Sequence, residues 1–208
     1  VGILLFALTG CSEDEKFEAK AYQTEAGAIN GVIIKVTDRE INFSASKDDR
    51  IYVEYFDGEK EYLDIEVNEN NELTIKLTSN KNWTDFIGVK PASENRKINI
   101  KVPNDLLAKI TASTTNEAIK VTNLSVIDSI NLDNNGGNII FEQVKAGNEI
   151  KVKAKDGGIT GTIIGSWDDF AISCTIKKGE CNLPLSKNSG EKLFEADCNN
   201  GDINIEFV

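Results

Sequence analysis

The residues able to do chemistry gather in the second half of the chain. Trp167-Asp168-Asp169-Phe170 sets an aromatic ring beside two carboxylates. A flat apolar face flanked by directional hydrogen-bonding groups is how proteins grip sugar rings. Trp167, Asp168 and Asp169 are therefore the candidate ligand contacts. The same carboxylates form the acid pair that glycan cleavage or elimination would need. Adjacent residues on a strand point to opposite faces, which works against such a pair. The plainer alternative is a long turn with its aromatic tucked over an edge. Three cysteines follow, Cys174, Cys181 and Cys198. Cys181 and Cys198 flank turns of neighbouring units and are the first candidate for a disulfide, which export would permit. Cys174 with Cys181 is the alternative pair, and either choice leaves one thiol over. A third reading keeps all three as small buried hydrophobes. Asp and Asn also cluster at Asp133 to Asn135, Asp156 and Asn199 to Asp202. Stacked turns of this kind could offer oxygen ligands to Ca²⁺. The regular Asp spacing of a nonapeptide Ca²⁺ repeat is missing, so ordinary turn chemistry is expected, with no metal and no cofactor.

A fourth cysteine, Cys11, stands in Leu8-Thr9-Gly10-Cys11-Ser12, directly after the apolar run Val1 to Ala7. That run reads as the end of a signal peptide, residues 1–10, and is too short to span a bilayer. Leu, a small polar residue, Gly and then Cys is the pattern of a bacterial lipobox. The expectation is a lipid on the Cys11 thiol, with cleavage leaving Cys11 as the N-terminus and acyl chains holding the protein to a membrane. Residues 11–27, rich in Glu, Lys, Ala, Gln and Thr, read as a polar tether, with a short helix over Glu15 to Tyr22 as the alternative.

Bulk composition narrows the classes. The formal net charge is −11, from 23 Lys+Arg against 34 Asp+Glu, which argues against a nucleic-acid partner. There is no His, so Ser-His-Asp and Cys-His catalysis and imidazole zinc sites are excluded. Hydrophobic residues make up 40%, enough for a packed core.

The elements that must position these groups are strands. Period-two alternation runs through Val32-Ile34-Val36, Ile51-Val53-Tyr55, Leu73-Ile75-Leu77 and Ile98-Ile100-Val102. The second half repeats. Glu117, Gly137, Gly157, Gly179 and Gly201 mark turns at intervals of 20, 20, 22 and 22 residues. Seven residues before each marker stand Ile110, Ile130, Ile150, Ile172 and Phe194, and two after stand Ile119, Ile139, Ile159, Cys181 and Ile203. One strand-turn-strand unit cannot bury its own apolar face, so units must stack. The predicted fold is all-β: a single-stranded β-helix or solenoid over residues 28–208, with regular repeats of about 20–22 residues over 110–208. A plain antiparallel meander is the alternative.

The segments Asp49 to Tyr55 (D-R-I-Y-V-E-Y), Glu72 to Lys76 (E-L-T-I-K), Ile98 to Leu106 (I-N-I-K-V-P-N-D-L) and Asn200 to Phe207 (N-G-D-I-N-I-E-F) carry a resemblance. Together with the lipobox and the repeated turns, they resemble the DUF4097 group of bacterial envelope adhesins. The resemblance spans about 28–208 and implies an extracytoplasmic β-solenoid with no agreed catalytic residues. Cys174, Cys181 and Cys198 depart from its usual repeat. The leading expectation is a non-catalytic, membrane-anchored surface lipoprotein that binds a surface glycan or an envelope protein. The rivals are a carboxylate-dependent polysaccharide lyase or hydrolase on a β-helix, and an envelope-stress accessory that docks a membrane partner.

Overall fold

The computed structural model describes residues 16–80 and 92–208; Cys11 and the leader lie outside the described residues. The chain runs through β1 (Phe17–Gln23), β2 (Gly31–Lys35), β3 (Glu40–Ala45), β4 (Tyr52–Gly58), β5 (Glu61–Val67), β6 (Glu72–Ser79) and β7 (Lys97–Val102). The repeat region adds β8 (Lys109–Thr114), β9 (Ile119–Thr122), β10 (Ser125–Val126), β11 (Ser129–Asn134), β12 (Ile139–Ala146), β13 (Glu149–Asp156) and β14 (Ile159–Ile163). The last strands are β15 (Phe170–Lys178), β16 (Ser186–Lys187), β17 (Lys192–Asn200) and β18 (Ile203–Phe207). They form two nine-stranded sheets that share one core. Among the described residues no helix is long and apolar enough to cross a membrane.

Each unit of the repeat except the one that begins with β15 gives a strand to each sheet, so the units stack as rungs of a β-solenoid. Alternation turns every second side chain inward, and parallel register piles equivalent residues into columns. One column reads Leu73, Val32, Ile110, Ile130, Ile150, Phe194, Ile172 along the axis. Its counterpart on the facing sheet reads Ile98, Ile41, Ile119, Ile139, Ile159, Ile203, Cys181. Where a column would overfill, the residues trade volume. Gly161 lies opposite Phe141, and a Cβ at Gly161 would run into the Phe141 ring.

The columns are as the repeat predicts, but their order along the axis is not the order along the chain. Phe194 of β17 sits between Ile150 and Ile172, so β15 is the outer rung and the later β17 the inner one. The reason lies in rung completeness. β17 and β18 supply apolar positions to both sheets, whereas the segment after β15 supplies one isolated bridge, Cys181 to Ile203. An incomplete rung costs least at the end, where only one side must be covered. At the opposite end β2 and β3 likewise slot between β8–β9 and β6–β7.

Both ends are closed, as edges of a stacked sheet must be if they are not to recruit other chains. At one end β4 runs antiparallel to β7, β1 antiparallel to β4, and β5 antiparallel to β6. Inside it the buried Arg39 guanidinium meets Glu61 at 2.8 Å. The stretch read as a tether or helix is thus corrected over Phe17–Gln23, which is a strand. It pairs mainly by backbone, with Tyr22 its one side chain packed against the core, so it leaves little hydropathy signal. At the other end β16 pairs antiparallel with β15. There Asn182 stands in for a missing strand: its side chain donates to Ile205 O at 2.8 Å and accepts from Ile205 N–H at 3.0 Å.

The turns between sheets are shaped by close approach. A Cβ at Gly137 would hit the carbonyl of Glu117, one at Gly157 the carbonyl of Gly137, one at Gly201 that of Gly157, and one at Gly179 that of Gly201. The turn markers are therefore a glycine column in which each backbone rests on the next. Asn134, fully buried beside it, accepts from Gly136 and Gly137 N–H and donates to Glu117 O and Asn138 O. The V-P-N-D-L segment makes the corresponding corner after β7. Asp105 takes φ 56, Asn104 accepts from Ser125 N–H at 2.9 Å, and Leu107 is buried.

Candidate functional site

The string Trp167-Asp168-Asp169 forms a single turn of 3₁₀ helix between β14 and β15. Ser166 caps it: its hydroxyl accepts from Asp168 N–H at 3.3 Å, and Asp169 Oδ2 accepts from Ser166 N–H at 3.0 Å. This reciprocal box satisfies donors at the start of the turn. It also corrects the expectation that Asp168 and Asp169 diverge as strand neighbours, because on this turn both line one cleft.

That cleft has a volume of about 690 Å³ and is lined by Asp168, Asp169, Gly190, Glu191 and Lys192. It lies at the end of the solenoid, beside the outermost rung. Trp167, immediately before it in the chain, is 39% exposed. One side of the indole meets Phe207 edge-to-face at 5.3 Å, and Phe207 in turn contacts Phe170 and Phe194. Lys187 fixes the turn from the other strand: its ammonium donates to the carbonyls of Trp167, Phe170 and Ser189 and lies 5.6 Å from the Trp167 ring centroid. Lys192 lies similarly over Phe170, at 5.5 Å. A partly exposed aromatic held on an apolar hub, next to acids and two lysines, can pack against a sugar ring while its neighbours hydrogen-bond the hydroxyls. Glu191, Lys192 and Lys187 were not legible as site residues. They arrive from about twenty residues downstream, in a polar turn string with no motif.

Asp168, Asp169 and Glu191 are all exposed, and Asp169 spends one oxygen on the cap. A general acid is ordinarily kept protonated by burial or by a second carboxylate. Among the described residues no three carboxylate or thiol groups converge on a metal-sized site. The turn carboxylates instead serve the turns: Asp202 accepts from Glu180 N–H at 2.8 Å, and Asp156 from the Asn200 amide. Along the outer faces many charges are paired in place, as with Lys109 and Glu72, Lys120 and Glu40, and Lys151 and Glu149.

The three downstream cysteines carry free thiols. Cys181 lies against Cys174, with the sulfurs 3.0 Å apart. Cys198 points elsewhere, its thiol 3.3 Å from both Gly157 O and Gly201 O. The pair that the structure brings together is thus Cys174 with Cys181, and the expected pairing of Cys181 with Cys198 is corrected. The offsets place Cys198 correctly in the adjacent rung, but they contain nothing about side-chain direction, and its thiol is turned to the Gly157 and Gly201 carbonyls. Burial, and then the contact with Cys181, pushes the Cys174 thiol up to about 12. Burial also raises the Cys198 thiol.

Fold and site together define a capped two-sheet β-solenoid with a polar cleft at one end. Residues 29–207 match the model of the Toastrack DUF4097 family, and the chain belongs to it. No curated protein matches the sequence. Among solved structures, the chain is similar to a putative cell adhesion protein from Clostridium sporogenes, with 15% identity, 93% of this chain and 100% of that chain covered, and a TM-score of 0.65. It is also similar to putative adhesins from Parabacteroides merdae (14% identity, 91% and 81% covered, TM-score 0.41) and Bacteroides fragilis (13% identity, 96% and 100% covered, TM-score 0.38). At these identities the likeness to the first is one of fold.

Proposed function

We propose that this chain is an envelope-anchored surface lipoprotein whose non-catalytic solenoid holds a surface glycan at its capped end. The observation that carries the reading is the open cleft of Asp168, Glu191 and Lys192 next to a half-exposed Trp167 on a rigid aromatic hub. The fold shared with a putative cell adhesion protein is consistent with a binding role. The lipobox at Cys11 supports the anchoring and, with it, a body held outside the cytoplasm.

The direct experiment is an array of bacterial and host glycans probed with the purified chain, followed by product analysis on every ligand. Retention without cleavage is the expected result. Cleavage that disappears in Asp168→Asn would establish the lyase or hydrolase reading instead. Failure to retain any glycan would remove the binding proposal. Metabolic labelling with an alkyne fatty acid tests the anchor: label is expected on the wild-type chain and absent from Cys11→Ser.

A further inference from the structure

We propose that Cys174 and Cys181 close into an intramolecular disulfide that fastens the terminal rung when the protein meets a small-molecule disulfide. The two residues belong to opposite walls of the outermost rung. Cys174 faces inward from β15 in one sheet, while Cys181 makes the single bridge to Ile203 at the edge of the other. Among the described residues no further rung covers this layer, and the segment after β15 is held by that bridge, by Asn182 on Ile205 and by the short β16 pairing. A bond between the sulfurs would tie the two sheets across this end.

The geometry needs little change. The sulfurs stand 3.0 Å apart and would approach by about 1 Å to reach disulfide length. Access also sets the order of events. Cys181 is half-buried and within reach of a small oxidant, whereas Cys174 is 4% exposed. The Cys181 thiolate attacks one sulfur of the small disulfide, forming a mixed disulfide and releasing one small thiolate. The Cys174 thiolate then attacks the Cys181 sulfur and releases the second. Two protein S–H bonds become one S–S bond, the oxidant is reduced to two thiols, and the two protons end on them. Cys198 stays out of the reaction because it is turned to the carbonyls of Gly157 and Gly201 in the inner rung.

The test uses the full chain carrying Cys11→Ser, incubated with oxidised glutathione and then mapped without reduction. The expected product is lighter by two hydrogens, contains one cross-linked peptide pair holding Cys174 and Cys181, and exposes only Cys198 to alkylation after denaturation. Amide exchange across residues 179–185 should slow by roughly tenfold relative to the reduced protein. Cys198→Ala should cross-link as the parent does. A bond that includes Cys198, three alkylated thiols, or a lasting glutathione adduct on Cys181 would each overturn the proposal.

Discussion

Asn134 shows how much a single side chain can hold in a stacked fold. It is fully buried, and its amide serves two carbonyls and two N–H groups of a turn that repeats along the axis. Asn134→Ala would take the side-chain partner from Glu117 O and from the Gly136 and Gly137 N–H groups, while Asn138 O keeps its bond from Ile119 N–H. The loss is about 2–3 kcal/mol, and urea unfolding should show it as a lower midpoint with an unchanged slope. The thiols make a second prediction. The Cys174 thiol has an unperturbed value of 9.0 and is raised in the fold to about 12. A raised acid favours its protonated folded form, so this stability is fully present below about pH 9 and drains away as pH climbs toward about 12. The melting temperature of the reduced protein should therefore fall more steeply with pH above 9 than that of Cys174→Ala, and equal slopes would contradict this. At this scale Trp167, Asp168 and Asp169 were readable as a candidate site because an aromatic-acid string has a recognisable composition. Glu191 and Lys192 were not, since only the third dimension brings a second turn alongside the first.

Rung order is where the reading of elements reaches its limit. Spacing of 20–22 residues and apolar offsets define which residues share a column, and Ile110, Ile130 and Ile150 are stacked in turn. The same offsets contain nothing about which rung follows which in space. That is decided by completeness: β17 with β18 can be covered on both sides, and β15 with Cys181 cannot. The overlooked β1 has a related origin, because an edge element is held by backbone pairing more than by apolar pattern. Asn182 is the most exposed consequence of this arrangement. Asn182→Ala removes both side-chain bonds to Ile205, and hydrogen exchange should show faster exchange at the Ile205 amide, with a global loss of about 1–2 kcal/mol.

The whole molecule is an acidic rod of stacked rungs closed at both ends, with its long faces tiled by ion pairs that satisfy one another. Exposed pairs of this sort contribute little to stability, but they keep the faces solvated and discourage edge-to-edge association. The cap differs from the faces. It combines an aromatic hub, a fixed lysine and a cleft of about 690 Å³ in one place. Binding at the β15–β16 cap, at the opposite end of the stack from β1, is the central claim. Its most direct measurement is calorimetric titration of the strongest glycan hit into wild type and Trp167→Ala. The predicted result is affinity at least roughly tenfold weaker in the variant, with its melting temperature nearly unchanged. Equal affinity in the two proteins would show that the cap is not where the ligand sits.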